Sequence, residues 1–361
     1  VSRMVAVAKD VVPELEFVCW TNELRIPYKY IVLIKTMSKG RRSYTKKTKR
    51  PQRNMRLRSK KKKQQSFVYN AMDIIGPRVL LNKGGDHVYE DRVSKYIGDK
   101  YVLLGLFDGH SGKSTSEHLS NSKTGLLAFI VSKMRNTPVS GKLIHDAFVE
   151  FDNKRLRKLS SGATATVVYI DKYKTIVANV GDSPAYSLKN CKMKQLSVEH
   201  DYFNLNERKR VLNKSKDPDI WEDQRVHGTI QASRGMGDFE IKDLEQGIFI
   251  SNPSIKVISK DEHSSMDYLL ITSDGITDPF TEKYESKNTG SDGYPNISDK
   301  QMLKNSLRNF KSVICENGKL KPPKDMLKGI TNLAIQLVDG DYQDDISMIM
   351  VDMKKCRKHF N

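Results

Sequence analysis

The sequence predicts a mixed α and β fold in which helices cover sheets, preceded by a basic, disordered arm. Three observations carry that expectation. Apolar runs of strand length, rich in Val, Ile, Leu and Tyr, recur between Gly, Asp and Ser. Between them lie longer segments with apolar residues at helical spacing. The positive charge is gathered at the start of the chain instead of being spread through it.

The elements follow in chain order. Residues 1–37 form an N-terminal extension of mixed character. Met37 directly precedes the basic stretch; one reading makes it the natural start, and a short added strand or helix is the alternative. Residues 38–66 are expected to be a disordered basic arm, because like charges repel and little there can be buried. From residue 67 to 361 the pattern is that of one globular domain. Strands are expected at Tyr101–Phe107, Thr164–Ile170, Thr175–Val180, Tyr268–Thr272 and Ile346–Val351. Helical patterns lie near Ser114–Met134 and Gly141–Leu159. A third runs over Lys324–Val338, where Met326, Leu327, Ile330, Leu333, Ala334 and Leu337 share one face. A strand, two helices, several strands, then a helix and a strand give sheets covered by helices.

With 361 residues and 38% apolar content, the chain can bury a core without staples. The net charge is +19, from 62 basic and 43 acidic residues. Residues 1–66 hold 19 of the basic and only 4 of the acidic ones, so the remainder carries only +4. Lys39 to Lys63 contains 14 basic residues and no acidic one. Such clusters fit a nuclear import receptor, and they also fit the phosphates of nucleic acid or anionic lipid. A solvated tail without a partner is the plain alternative. Tyr44 is the arm's one aromatic residue, which argues against base stacking. No apolar run approaches the roughly 18–20 residues of a membrane span. Asp10, Glu14 and Glu16 interrupt any secretory signal. Cys19, Cys191, Cys315 and Cys356 lie far apart without paired spacing, so neither a disulfide framework nor a zinc site is expected. That usage points to a reducing compartment, nucleus or cytoplasm, and the arm at 39–63 favours the nucleus.

The chemistry sits at strand ends. Asp108-Gly109-His110, Gly181-Asp182-Ser183, Ser273-Asp274-Gly275 and Asp344-Asp345 each place an acid beside the end of an apolar run, and Glu90-Asp91 lies upstream. One Asp-Gly after a strand is ordinarily a turn. Several in one fold can converge, and converged carboxylates repel unless a cation neutralises them. An oxygen-only set suits Mg²⁺ or Mn²⁺. Gly112-Lys113-Ser114 imitates the end of a phosphate-binding P-loop. That motif needs a glycine five residues before Gly112, where Phe107 stands.

The order and spelling of these pieces resemble the metal-dependent serine/threonine protein phosphatases of type 2C. The resemblance covers about residues 67–353. It rests on Glu90-Asp91, Asp108-Gly109-His110-Ser111-Gly112, Ser161-Gly162-Ala163-Thr164-Ala165, Gly181-Asp182-Ser183, Ser233-Arg234-Gly235-Met236-Gly237-Asp238, Ser273-Asp274-Gly275 and Asp344-Asp345-Ile346-Ser347. It implies an α+β fold with a central antiparallel β-sandwich between helices, four layers in the order α-β-β-α. It also implies hydrolysis of phosphoserine and phosphothreonine in signalling phosphoproteins, by a monomer. Asp91, Asp108, Asp274 and Asp344 would hold two Mg²⁺ or Mn²⁺ ions. The Gly109 carbonyl would be a further ligand, and Glu90 would hold metal-bound water. Asp182 with Asp274 would flank a weaker third position, with Asp238 close by. A metal-bound water would attack phosphorus directly, without a phosphoenzyme, and His110 would protonate the leaving oxygen. The plainer role for His110 is capping the next helix.

Departures from the family pattern are informative. An arginine that grips substrate phosphate usually stands where this chain has Asp86, and an acid there repels phosphate. Lys83, His87 and Arg92 are the candidate substitutes. Without one, the alternative reading is a weak or inactive scaffold with the same fold. Asp345 stands where Asn is commoner, and Pro184 where Arg often follows Gly-Asp-Ser. Asp201–Val226 occupies the family's variable flap and is expected to shape substrate choice.

Overall fold

The computed structural model describes residues 66–71, 89–279, 310–337 and 344–361. All belong to the unit spanning Lys63–Asn361. The expectations for the extension, for nearly all of the arm, and for Lys83, Asp86 and His87 lie outside the described residues.

Strand β1 (Val68–Asn70) comes first. β2 (Arg92–Ile97) and β3 (Tyr101–Phe107) form a hairpin, followed by the short β4 (Gly109–His110). Helices α1 (Ser114–Ser120), α2 (Leu126–Met134) and α3 (Gly141–Phe151) follow, and α3 runs into a π-helical turn at Asp152–Leu156. Then come β5 (Gly162–Ala163), β6 (Ala165–Asp171), β7 (Thr175–Val180), β8 (Ala185–Lys189) and β9 (Lys192–Gln195). The flap holds helix α4 (Leu205–Lys214) and a hairpin of β10 (Trp221–Glu222) and β11 (Arg225–Val226). β12 (Met236–Gly237), α5 (Phe239–Leu244), β13 (Ser254–Ile258) and α6 (Lys260–Ser265) lead to β14 (Tyr268–Thr272). Residues 274–279 and 310–314 are helical. The chain closes with β15 (Cys315–Glu316), β16 (Lys319–Leu320), α7 (Pro323–Leu337), β17 (Met348–Asp352) and α8 (Met353–His359).

Two five-stranded sheets organise these elements, in the orders β13-β7-β6-β3-β2 and β1-β17-β14-β8-β9. Their strand pairs are antiparallel. Alternation along β3 sorts the layers, because successive side chains point to opposite faces. Leu103 and Phe107 pack with Leu119, Leu126, Ile130, Ile144 and Phe148 of the first three helices. Val102, Leu104 and Leu106 pack with Leu269, Ile271, Ile349 and Val351 of the second sheet. The outer face of that sheet, with Leu270, Met348 and Met350, packs with Met326, Leu327, Ile330 and Ala334 of α7. The result is the expected α-β-β-α sandwich. Burying one such leucine contributes about 2 kcal/mol, so the three apolar interfaces fix strand register firmly.

Tyr101–Phe107, Thr175–Val180 and Tyr268–Thr272 coincide with their expected bounds. The helical pattern over Ser114–Met134 is two helices, not one. Asn121 interrupts it: its Oδ1 accepts hydrogen bonds from the Lys123 and Thr124 amides, and its carbonyl accepts one from Gly125. That local turn competes with helix continuation. α3 starts where Ser140 Oγ accepts from the Leu143 amide. The cysteine expectation needs correction. Cys191 and Cys315 form a disulfide across 124 residues, a separation at which spacing along the chain carries no signal. Cys356 is free and buried. No helix among the described residues is long and apolar enough to cross a membrane.

Candidate active site

Register brings the strand-end acids to one end of the sandwich. In the first sheet Arg92 pairs with Phe107, Leu106 with Thr166, and Ala165 with Val180. Asp91, Asp108 and the Gly181-Asp182 turn therefore leave the sheet on the same side. In the second sheet Thr272 pairs with Met348, which places Ser273-Asp274 beside Asp344 to Ser347. The Ser273 amide donates to the Ser347 carbonyl at 2.9 Å, and Ser273 Oγ accepts from the Ser347 amide at 2.9 Å. Asp345 bridges the two sheets: its Oδ2 accepts from the Glu90 amide at 2.5 Å and the Asp91 amide at 3.2 Å. The residue that stands where Asn is commoner thus fastens the first acidic motif to the second sheet.

Several acids of the cluster shift in the same direction. Burial, and then the charge of Asp345, push the Asp91 carboxyl well above the usual range. Burial followed by Asp274 does the same to Asp108 and Asp182. Asp344 is pushed up to about 9 by burial, then by Asp274 and Asp91. Among the described residues, both carboxylate oxygens of Asp91 and Oδ1 of Asp274 are buried without a hydrogen-bond partner. Glu90 is buried as well, and its Oε1 accepts from the Gly112 amide at 2.7 Å. Gly109 packs so closely that a Cβ there would lie 2.7 Å from the Glu90 carbonyl oxygen.

His110 and Asp238 form a separate pair. His110 Nε2 lies 2.8 Å from Asp238 Oδ2. Burial alone would lower the imidazole, but the hydrogen bond and charge of Asp238 outweigh it and hold His110 above its ordinary value. His110 belongs to β4, and Lys113 occupies the N-cap of α1, so capping is not its role. Expected near the third metal position, Asp238 is committed to this histidine. Beside Asp182 and Asp274 stands Asp278, which sequence reasoning missed. Its carboxyl is raised by burial, then by Asp274 and Asp182. The available signal was its place four residues after Asp274 in a helical segment, on the same face one turn along.

Comparison with known proteins decides the family. The family model described as Protein phosphatase 2C matches residues 85–284, more than half of the chain. The chain belongs to the protein phosphatase 2C family. A probable protein phosphatase 2C 11 of Arabidopsis thaliana is 28% identical over 223 residues, covering 60% of this chain and 56% of that protein. Protein phosphatase 1L of Bos taurus is 26% identical over 192 residues, covering 50% and 52%. The chain spans about half the length of the curated relatives it matches. A solved structure of a C. elegans sex determining protein superposes with a TM-score of 0.54 at 20% identity, over 77% of this chain and 65% of that one. That likeness supports the fold.

This protein phosphatase 2C domain carries a donor set fit for hard divalent ions. The acids are oxygen donors, they press on one another, and buried oxygens of Asp91 and Asp274 lack partners. A buried anion cluster is costly unless a cation offsets it. Among the described residues no three acidic side chains stand ready-made as a ligand set, so binding would require side-chain adjustment. Arg92, a candidate phosphate grip, is occupied. It donates to the Tyr89 and Asp91 carbonyls at 2.8 Å each and pairs with Glu117 at 2.9 Å.

The flap is tied down from inside. Glu207 of α4 accepts from Arg210 Nε at 3.0 Å and Ser233 Oγ at 2.9 Å, and pairs with Arg234 through both carboxylate oxygens. Burial opposes ionisation of Glu207, but Arg234 and Arg210 hold it down at about 2. The Ser233-Arg234 part of the motif therefore anchors the flap helix.

Proposed function

We propose that this chain hydrolyses phosphoserine and phosphothreonine in proteins with the help of two Mg²⁺ or Mn²⁺ ions. The observation that carries the reading is the mutually repelling set of buried Asp91 and Asp108 with half-buried Asp274 and Asp344, with partnerless oxygens on Asp91 and Asp274. These four and the Gly109 carbonyl would hold the ions, with Asp182 and Asp278 beside Asp274 for a weaker third. Bound there, the ions supply Lewis acidity toward water and the phosphoryl oxygens. Glu90 is steadied by the Gly112 amide to orient water at the cluster. His110 engages Asp238 through Nε2, leaving Nδ1 to deliver a proton to the departing Ser or Thr oxygen. No phosphoenzyme is required.

The test is phosphate release from a phosphothreonine peptide by the full chain with Mn²⁺, with and without EDTA. Release that exceeds an Asp274→Asn control and disappears with chelator supports the reading; no such excess eliminates it. A weak enzyme or a scaffold is the second reading. The engagement of Arg92 with Glu117 and two carbonyls favours it, because that side chain cannot also replace the missing arginine. Asp86→Arg should then lower KM; an unchanged KM would mean that another group grips phosphate. For the basic arm we propose nuclear import, tested by fusing residues 37–66 to a fluorescent reporter. A reporter that stays cytosolic refutes it.

A further inference from the structure

We infer that Asp152 and Lys242 are positioning residues that hold the Gly237-Asp238 turn and thereby aim Asp238 at His110. The inference rests on the phosphatase reading for its consequence, and on geometry alone for its structural part.

The turn is in an unusual conformation. Gly237 has φ +81° and Asp238 has φ +50°. A left-handed aspartate costs about 1 kcal/mol or more, so surrounding contacts must impose it. Besides its pairing with β5, the turn is held by one buried ion pair. Asp152 Oδ1 accepts from the Gly237 amide at 2.7 Å. Its Oδ2 lies 2.7 Å from Lys242 Nζ, and both side chains are nearly inaccessible. Lys242 Nζ also donates to the Gly235 carbonyl at 2.9 Å, so the pair holds the segment entering the turn at two points, Gly235 and Gly237. Asp152 opens the π-helical turn after α3, an irregularity frequent near functional sites. Lys242 lies one helical turn beyond Asp238, and its amide donates to the Asp238 carbonyl.

The other side of the turn leaves room only for the His110–Asp238 contact. In the small sheet of β4, β5 and β12, Gly162 pairs with His110 on one side and Gly237 on the other. A Cβ on Gly162 would fall 1.8 Å from Asp238 Oδ2 and 2.2 Å from His110 Nε2. The two side chains therefore meet over the space that a missing side chain leaves. A buried Lys–Asp pair adds little net stability compared with apolar replacements. Because this one holds the Gly235 carbonyl and the Gly237 amide together, it fixes the backbone from which the Asp238 carboxylate projects.

The test uses the full chain with Asp152→Leu, Lys242→Met and the two combined, because leucine removes the acceptor of the Gly237 amide and the combined variant leaves no unpaired buried charge. The first readout is the histidine ring ¹H–¹⁵N spectrum of the metal-free protein. The His110 Nε2–H resonance should lose its hydrogen-bonded shift in the combined variant while the backbone spectrum remains that of a folded protein. An unmoved resonance overturns the inference. The second readout is the leaving group. With a phosphothreonine peptide, kcat should fall about 10- to 100-fold, because a displaced proton donor fails a poor leaving group. With p-nitrophenyl phosphate, whose phenolate leaves unprotonated, kcat should change less than about threefold. In a His110→Gln background the combined variant should add no further loss. Equal losses on both substrates, or an additive loss in that background, overturn the role. If the wild-type protein shows no phosphatase activity, the spectrum still decides the positioning.

Discussion

Acidification should loosen this domain at His200 first. His200 is fully buried; its Nδ1 accepts from the Gly181 amide at 3.1 Å, which leaves Nε2 to donate to Ser254 Oγ at 2.7 Å. Gly181 immediately precedes Asp182, so this imidazole fixes the turn that presents one of the clustered acids. A second proton would have to enter at Nδ1, break the bond to Gly181, and place a cation beside Arg234 and Arg210. Burial, followed by the charge of Arg234, holds His200 down at about 3. The folded state therefore refuses a proton that the unfolded chain accepts below its ordinary value near 6.5. Stability from this group is fully present above about pH 6.5 and is lost as the pH falls toward about 3, at about 1.4 kcal/mol per unit. Between pH 7 and pH 5 the loss is about 2 kcal/mol, and by pH 3 it reaches about 4 kcal/mol. Urea unfolding in EDTA at pH 7, 6 and 5, for the wild type and His200→Gln, isolates the effect, because the other groups titrate in both proteins. The wild type should lose about 2 kcal/mol more than the variant between pH 7 and pH 5. Parallel losses would refute the assignment.

Three further outcomes follow from the packing and charge. Asp91→Asn should raise the melting temperature of the metal-free protein at pH 7, because a carboxyl held above its usual range is a net cost when ionised; the same variant should lose the stabilisation that Mn²⁺ gives the wild type, and a lowered metal-free melting temperature would contradict the repulsion argument. Glu207→Gln strands the Arg210 and Arg234 charges and should cost about 3–5 kcal/mol in urea unfolding. A cost below about 0.5 kcal/mol would show that the flap is anchored elsewhere. Leu104→Ala empties part of the layer between the sheets and should cost about 2–5 kcal/mol, with kcat per folded molecule unchanged.

What the sequence revealed depended on how each element is buried. Tyr101–Phe107 and Thr175–Val180 are covered on both faces and read as continuous apolar runs, so their bounds were legible. β2 and β13 are edge strands of the same sheet, with exposed Tyr96, Ile97 and Val257 and interspersed Lys95 and Lys256. β2 lacks a period-2 pattern, and in β13 the alternation of Ser254-Ile255-Lys256-Val257 spans only four residues, because a full apolar face was never required of either. In the site, the acids at strand ends were visible because turn residues punctuate them. Asp278 was not, because it lies inside a helical segment four residues after Asp274 instead of at the end of an apolar run. The partner of His110 was equally hidden: Asp238 lies 128 residues away, and nothing local distinguishes an acid aimed at a metal from one aimed at an imidazole. The Cys191–Cys315 bond fails for the same reason.

The clustered acids make sense only together with the layers that hold them. A one-residue slip in any pairing would turn every side chain of that strand to the opposite face. Because apolar layers cover both faces of β3 and of β14, such a slip would expose a leucine set on one side and bury polar atoms on the other. Packing therefore leaves Asp108 and Asp274 no route away from each other, and Asp345 closes the remaining one by binding the Glu90 and Asp91 amides across the sheets. The cost of repulsion is borne by the core and is relieved by protonation or by a cation. On the proposed function, a fold held this firmly would keep an affinity for metal that no side chain at the site would sustain in isolation. The affinity should then decline when the layers are loosened, as by Leu104→Ala, even though that leucine touches none of the acids.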